Sequence, residues 1–134
     1  MLHKYRILIQ EKHLDTFGHV NNATYLELYE EARWDMITAR GYGLDYIQKV
    51  KQGPVILNLN LSFRKELCNR QEIVIETWHH EFKGSKIMLL KQHMLTSDGS
   101  VASELTLEAG LMDLAMRKLI AATPQWLKAM GLDS

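Results

Sequence analysis

The sequence has little cysteine and little proline: one cysteine, Cys68, and two prolines in 134 residues. A lone cysteine cannot form an internal disulfide, and without a partner thiol it indicates neither a redox motif nor a metal site. The chain is therefore not a disulfide-stabilised scaffold, and Cys68 is assigned no role.

An excess of charge and long apolar runs are missing as well. Lys plus Arg and Asp plus Glu each number 16, so no net field attracts the chain to nucleic acid or to an anionic membrane. No stretch approaches the roughly 20 apolar residues of a membrane span, and Met1 to Gln10 lack the apolar core of a signal peptide. We expect a cytoplasmic protein with no nucleic-acid partner and no membrane span, folded as one domain over residues 1–134.

One long helix is predicted in the first third of the chain. Apolar residues recur there at the spacing of a helical face, and Gly41 predicts the end of the helix. Asn21 or Asn22 could cap its start, and Thr24 with Glu27 fits an alternative capping box. The residues of the apolar face are Tyr25, Leu28, Tyr29, Ala32 and Met36. Further apolar residues around the helix predict that it lies deep in the fold: Leu26, Trp34 and Ile37.

Five segments have the pattern of β-strands. The strand after Gly53-Pro54 alternates strictly between apolar and polar residues, which predicts that it is half-buried, and Lys83-Gly84-Ser85 and Asp98-Gly99 are typical of hairpin turns. Thr123-Pro124 predicts the capped start of a terminal helix through Met130. The predicted strands are Tyr5–Gln10, Val55–Phe63, Glu72–Phe82, Lys86–Thr96 and Val101–Met112.

The order of strand, helix and four strands predicts an α+β fold, in which an antiparallel five-stranded sheet packs on the helix. Such a sheet leaves edges exposed, and a symmetric dimer is a common way to cover them.

The segment from Asp15 to Tyr25 places a carboxylate just before a glycine turn and the predicted start of the helix. A carboxylate can act as nucleophile or general base, and the free N–H groups of a helix N-terminus can hold the charge on an attacked carbonyl oxygen. The segment therefore favours acyl-transfer chemistry. The alternative is that Asp15 only stabilises a turn through its side-chain hydrogen bonds.

The pattern Asp15-x-x-Gly18-His19-Val20-Asn21-Asn22-x-x-Tyr25-Leu26, followed by Tyr29-Glu30-Glu31-Ala32-Arg33, resembles the signature of the 4-hydroxybenzoyl-CoA thioesterase family of hot-dog-fold acyl-CoA thioesterases. The resemblance extends over nearly the whole chain, with specific motifs in residues 15–33. It implies a sheet wrapped around a long central helix, assembled as homodimers or homotetramers with active sites at the subunit interface. It also implies hydrolysis of an acyl-CoA thioester, with no cofactor beyond the coenzyme A of the substrate.

Position by position, the resemblance implies that Asp15 is the catalytic aspartate and that the backbone N–H of Asn22 polarises the thioester carbonyl. The other residues expected at the substrate site are Gly18, His19, Val20, Asn21 and Tyr25. Among these, His19 is either a base or a support for the turn, Asn21 fixes the turn or caps the helix, and Tyr25 either packs in the core or lines the pocket.

Two features depart from the family pattern. His13 stands where the commonest members carry a second acidic residue, and Lys65 to Arg70 replace a proline and a glycine-aspartate turn after the second strand. These differences leave the assignment of Asp15 intact, but they affect substrate choice and the mouth of the site.

The sequence offers a second set of carboxylates, because some hot-dog families place the catalytic carboxylate on the central helix. The candidates are Glu27, Glu30 and Glu31. A solvated helix face, with Glu30 and Arg33 as an i,i+3 ion pair, is the simpler interpretation. Three histidines do not predict a metal site, since neighbours on a strand point to opposite faces and no Cys or Asp completes a ligand set. They are His79, His80 and His93.

Basic residues at strand ends and turns could contact the phosphates of coenzyme A, some of them from a neighbouring subunit. They are Arg64, Lys65, Lys83 and Lys86. Solubilising surface charge is the alternative for each of them.

The functional prediction is an acyl-CoA thioesterase that hydrolyses a thioester to free acid and CoA. One alternative is a non-catalytic hot-dog module that binds an acyl-CoA or an acyl-carrier protein. Another is a dehydratase on the same fold, which normally needs a catalytic histidine and a separate helix carboxylate.

Overall fold

The computed structural model describes residues 2–132. Its elements, in chain order, are β1 (His3–Leu8), a 3₁₀ turn (Glu11–His13), α1 (Asn22–Ala39), α2 (Leu44–Val50), β2 (Gln52–Phe63), β3 (Glu72–Lys83), β4 (Ile87–Thr96), β5 (Val101–Asp113), β6 (Lys118–Ile120) and α3 (Pro124–Ala129).

One antiparallel sheet contains all six strands, in the order β1-β3-β4-β5-β2, and β6 pairs with the end of β5. Inward-facing residues of the central strands, such as Ile75, Leu90 and Leu107, are almost fully buried together with the apolar face of α1. The long helix therefore lies against one face of the sheet, and the predicted α+β architecture is confirmed.

The predicted helix face is confirmed, since each of its five residues is buried. Asn21 is the cap, because its side chain accepts a hydrogen bond from the N–H of Ala23 at 2.9 Å. The alternative capping box at Thr24 and Glu27 is wrong, because both residues already lie inside the helix. Of the further apolar residues that predicted a helix deep in the fold, Ile37 is buried and Leu26 packs against the core, whereas Trp34 is 37% exposed.

Three short elements were not predicted, namely the 3₁₀ turn, α2 and β6, and the bounds of β1 and the start of β2 differ from the prediction. Both α2 and β6 are too short to give a clear hydrophobic period. Strand β1 begins at His3 rather than Tyr5 and ends at Leu8. The predicted terminal helix is confirmed as α3, with Thr123 as its cap.

Strand β2 is the largest difference between prediction and structure. Its only strand partner among the described residues is β5, so its other edge is unpaired. Four of its apolar side chains remain between 41% and 49% exposed: Ile56, Leu57, Leu59 and Phe63. The prediction that this strand is half-buried is therefore wrong within a single chain, because seven of its twelve residues are exposed.

Candidate active site

Asp15 lies in a tight turn between the 3₁₀ turn and α1. Its Oδ1 accepts hydrogen bonds from the backbone N–H groups of Phe17, at 2.9 Å, and His19, at 3.3 Å. The backbone N–H of Asp15 donates to the carbonyl of His19, and Gly18 takes a positive φ of 82°, which favours glycine. The carboxylate is thus held in place by the turn, and no described residue donates a hydrogen bond to its Oδ2.

Asn22 is the first residue of α1, directly after the Asn21 cap. Its backbone N–H has no hydrogen-bond acceptor among residues 2–132, as expected for the first turn of a helix. This N–H can therefore bind an oxygen that carries negative charge, assisted by the partial positive charge of the helix N-terminus.

Asp15 and Asn22 line the same open cleft, which has a volume of about 320 Å³. His19, Val20 and Tyr25 also line it, so the structure brings most of the predicted site residues together. Gly18 shapes the turn that carries Asp15, and Asn21 caps the adjoining helix.

The opposite wall of the cleft comes from the end of β2 and the segment that follows it. Phe63 packs edge-to-face on Tyr25, with ring centroids 5.0 Å apart, and the Tyr25 hydroxyl donates to the carbonyl of Lys65 at 3.5 Å. Burial is the main cause that raises the pKa of Tyr25. Glu66 completes this wall and lies 3.0 Å from His19 Nε2.

Sequence reasoning missed Phe63 and Glu66 as site residues. Phe63 ends the alternating strand and directly precedes Arg64 and Lys65, which were predicted to bind coenzyme A. Its position next to them is the signal that could have identified it as a site residue. Glu66 gave no signal, because its proximity to His19 depends on a tertiary contact between the segment after β2 and the Asp15 turn.

The segments that depart from the family pattern have structural roles here. His13 is buried, and its Nδ1 accepts a hydrogen bond from the N–H of Gln10 at 2.9 Å. After β2, Arg70 holds Glu11 through two hydrogen bonds of 2.6 and 3.0 Å, and Leu67 is fully buried. Both contacts anchor the turn region that carries Asp15.

The four predicted CoA-binding cations fall into two groups. Arg64 and Lys65 line the cleft, and Arg64 also forms an ion pair with Glu104 at 2.9 Å. Lys83 and Lys86 lie at the β3–β4 hairpin, near Gly110, whereas the cleft lies near Ser103. Gly110 and Ser103 are seven residues apart along β5, which corresponds to about 23 Å. A single chain therefore does not bring Lys83 and Lys86 to the cleft.

The helix carboxylates lie outside this cleft. Glu31 accepts a hydrogen bond from the Tyr5 hydroxyl at 2.7 Å, and Glu30 borders a separate pocket. Within the described part of the chain, no cluster of His, Cys, Asp or Glu could hold a metal ion, and none of the helices is long and apolar enough to cross a membrane.

Comparison with known proteins then assigns the family. The family model described as "Thioesterase-like superfamily" matches residues 9–130 of the chain. The chain belongs to this superfamily. The prediction of a thioesterase enzyme is confirmed at that level, and the narrower resemblance to the 4-hydroxybenzoyl-CoA family stays a prediction.

Three relatives of this thioesterase-like protein illustrate the match. The long-chain acyl-CoA thioesterase FadM of Escherichia coli (strain K12) is 28% identical over 116 residues, which are 87% of each chain. The probable thioesterase YbaW from Escherichia coli has a TM-score of 0.83 at 25% identity, covering 96% of each chain. The Staphylococcus aureus protein SAV2348, solved in complex with CoA, has a TM-score of 0.89 at 14% identity, covering 98% of this chain and 82% of that one. The hot-dog fold is confirmed.

Proposed function

We propose that this protein is an acyl-CoA thioesterase whose reaction takes place in the Asp15 cleft. The observation that carries the proposal is the pairing, in one cleft, of a fixed carboxylate with the unpaired N–H of Asn22. A thioester carbonyl is electrophilic, so one positioned carboxylate and one oxyanion donor suffice, without a serine-histidine pair.

The geometry of Asp15 suits a reacting carboxylate. Two backbone N–H groups hold Oδ1, so the side chain cannot rotate freely, while Oδ2 is available to a water molecule or to the substrate. The carbonyl oxygen of the thioester accepts the hydrogen bond from the Asn22 N–H. The negative charge that develops on this oxygen then lies at the positive end of α1.

Two routes lead to the same products. As a general base, Asp15 removes a proton from water, the water oxygen adds to the carbonyl carbon, and the carbon–sulfur bond then breaks. As a nucleophile, Asp15 forms a mixed anhydride with release of the CoA thiolate, and water then hydrolyses the anhydride. In both routes the thiolate takes up a proton, and the acyl group leaves as a carboxylic acid.

The substrate proposal combines charge with the apolar surface of β2. Arg64 and Lys65 supply positive charge at the cleft for the phosphates of coenzyme A. Phe63, at the end of β2, lines the cleft with its side chain 49% exposed and supplies apolar surface that suits an aliphatic acyl chain. The relative FadM, named as a long-chain acyl-CoA thioesterase, supports this choice.

The same strand supports assembly as a homodimer. An unpaired edge with four exposed apolar side chains is open to aggregation in a monomer, and pairing with the β2 edge of a second copy would cover it. Lys83 and Lys86 could then reach a cleft only from another subunit, as the sequence suggested.

The test is a panel of short, long, branched and aromatic acyl-CoAs, assayed for release of free thiol, with Asp15→Asn as the blank. We expect turnover of at least one aliphatic acyl-CoA by the unmodified chain and none by the blank. Binding without turnover of any member would favour the non-catalytic module. Label found in Asp15 after a single turnover in ¹⁸O-labelled water would establish the nucleophilic route, because only attack of water on the Asp15 carbon of the anhydride can put it there.

A further inference from the structure

A second pocket lies apart from the Asp15 cleft, between α1, the start of β2 and α3. Its volume is about 170 Å³, and its walls are largely apolar, with Ile37, Ile56 and Ala109 among them. A dry apolar cavity of about 150 Å³ is large enough to bind benzene, so this pocket can hold a ring or a short alkyl segment. The proposed thioesterase chemistry does not use it.

Two charged residues of α1, Arg33 and Glu30, line this otherwise apolar pocket, and Arg33 is the cation. Its Nη1 donates to Oε1 of Gln92 at 2.8 Å. The Gln92 amide is itself fixed, because its Nε2 donates to the Thr77 hydroxyl at 2.9 Å and to the carbonyl of Tyr29 at 3.1 Å. The guanidinium is thus positioned by a buried polar network.

Arg33 has no carboxylate within ion-pair distance among the described residues. Its guanidinium carries five N–H donors, and Gln92 is the one protein acceptor found for them in residues 2–132. Glu30, at the rim of the pocket, is the acidic group whose field acts on Arg33, but the two do not form an ion pair. Burial lowers the pKa of Arg33, as expected for a cation that lacks a paired anion.

Trp126 lines this pocket and also a smaller neighbouring one. Its side chain is 2% exposed, and its buried Nε1 has no acceptor in the part of the chain that the structure describes. Buried N–H groups are nearly always hydrogen-bonded, and those that are not call for an explanation such as an absent ligand. The guanidinium N–H groups of Arg33 that do not contact Gln92 can donate to an acceptor in the pocket, and the charge of Arg33 favours an anion.

We propose that this pocket binds the carboxylate of a molecule with an apolar body, with the carboxylate on Arg33 and the apolar part between α1 and β2. Arginine and carboxylate are matched in geometry and charge, and their hydrogen bonds are stronger in an apolar surrounding. Two sources share this chemistry: a free carboxylic acid, such as the product of a thioesterase, and the distal carboxylate of an acyl group that carries one.

Tryptophan emission from the full chain reports occupancy, because Trp34 and Trp126 both line the pocket. The probes are decanoate and decan-1-ol, which differ at the polar end. We expect decanoate to change the emission and to bind more tightly than the alcohol. Arg33→Met should weaken decanoate binding about 10- to 100-fold and leave the alcohol unaffected, since a charged hydrogen bond is lost. Arg6→Met, at an exposed arginine on β1, is the matched control and should change neither.

Equal binding of decanoate and the alcohol, or undiminished decanoate binding by Arg33→Met, would overturn the proposal, as would a lack of decanoate binding altogether. If Arg33→Met does not fold, a milder variant decides. Glu30→Gln removes the competing negative charge and should tighten decanoate binding. The opposite or no effect in this variant contradicts the proposal.

Hydrolysis of acyl-CoA substrates distinguishes the two sources of the carboxylate. This part of the experiment rests on the proposed function. The ratio of kcat/KM for an ω-carboxyacyl-CoA to that for the plain acyl-CoA should fall in Arg33→Met if the pocket receives the distal carboxylate. An unchanged ratio, with decanoate binding still dependent on Arg33, assigns the pocket to a free acid. If the chain hydrolyses no acyl-CoA, the emission experiment still tests the pocket by itself.

Discussion

Replacing Asn21 with alanine tests whether the start of α1 serves the reaction as well as the fold. The Asn21 side chain caps the helix by accepting a hydrogen bond from Ala23 N–H at 2.9 Å. Losing such a cap costs about 1 kcal/mol of unfolding free energy, which corresponds to a decrease in Tm of about 3 to 5 °C for a chain of this size. Thermal unfolding followed by circular dichroism measures that change.

The same substitution should lower activity, because Asn22 follows the cap directly and its N–H is the proposed oxyanion donor. Removing such a donor entirely costs about 10²- to 10³-fold in kcat. A frayed first turn still presents the N–H for part of the time, so we expect a smaller loss in kcat, about tenfold, with KM little changed. The assay is steady-state release of CoA thiol.

Thr123→Ala is the matched control. Thr123 caps α3 by accepting from Trp126 N–H at 3.2 Å, and it lies outside the cleft. It should lose similar stability and keep its kcat. Asn21→Ser, which retains a capping oxygen, should restore much of both properties. Equal kcat in Asn21→Ala and Thr123→Ala, at equal loss of stability, would refute the catalytic role of the helix start.

Three further predictions concern the turn, the pH response and the assembly. Gly18→Ala should lower the unfolding free energy, measured by urea denaturation, by about 1 to 2 kcal/mol. The cause is the positive φ of 82° at this residue, since no atom lies close enough to obstruct an added Cβ. An unchanged unfolding free energy would mean that the turn relaxes. Burial, followed by the charge of His80, lowers the pKa of His79, so its contribution to stability is present above pH 6.5 and is lost as the pH falls through its folded pKa. His79→Gln should flatten the decline of Tm between pH 7 and 5, and exposed His80→Gln should flatten it less. If the proposed dimer forms through the β2 edge, Leu59→Glu should shift the chain from dimer to monomer in analytical ultracentrifugation, while Met116→Glu, at an exposed site off that edge, should leave the proposed dimer intact.

Local patterns predicted most of the fold. The period of α1 and the hairpin residues around Gly84 and Gly99 are short-range signals, and each gave an element in nearly its observed place. The predicted face of α1 is buried, because the same spacing that indicates a helix also selects the side that meets the sheet.

The surroundings of these elements could not be read in the same way. The alternation in β2 indicates a strand with one apolar face, but it does not say whether that face is covered by its own chain. Similarly, nothing in the sequence around Arg33 and Gln92 indicates that they meet, since they are 59 residues apart and join only when β4 packs under α1. That Asp15 and Asn22 line one cleft was predictable, because they are close in sequence and lie on either side of the same turn, and their catalytic roles stay predictions.

The catalytic role of Asp15 is tested most directly by the kcat of Asp15→Asn on the best acyl-CoA of the panel, measured together with the Kd of the same substrate. The asparagine can keep the Oδ1 hydrogen bonds to Phe17 and His19, so the turn should hold its shape while the reactive oxygen is lost. We predict a decrease in kcat of about 10²- to 10⁴-fold, with Kd within about threefold of the original. A kcat within a factor of two of the unmodified protein would contradict the claim that Asp15 is the catalytic carboxylate.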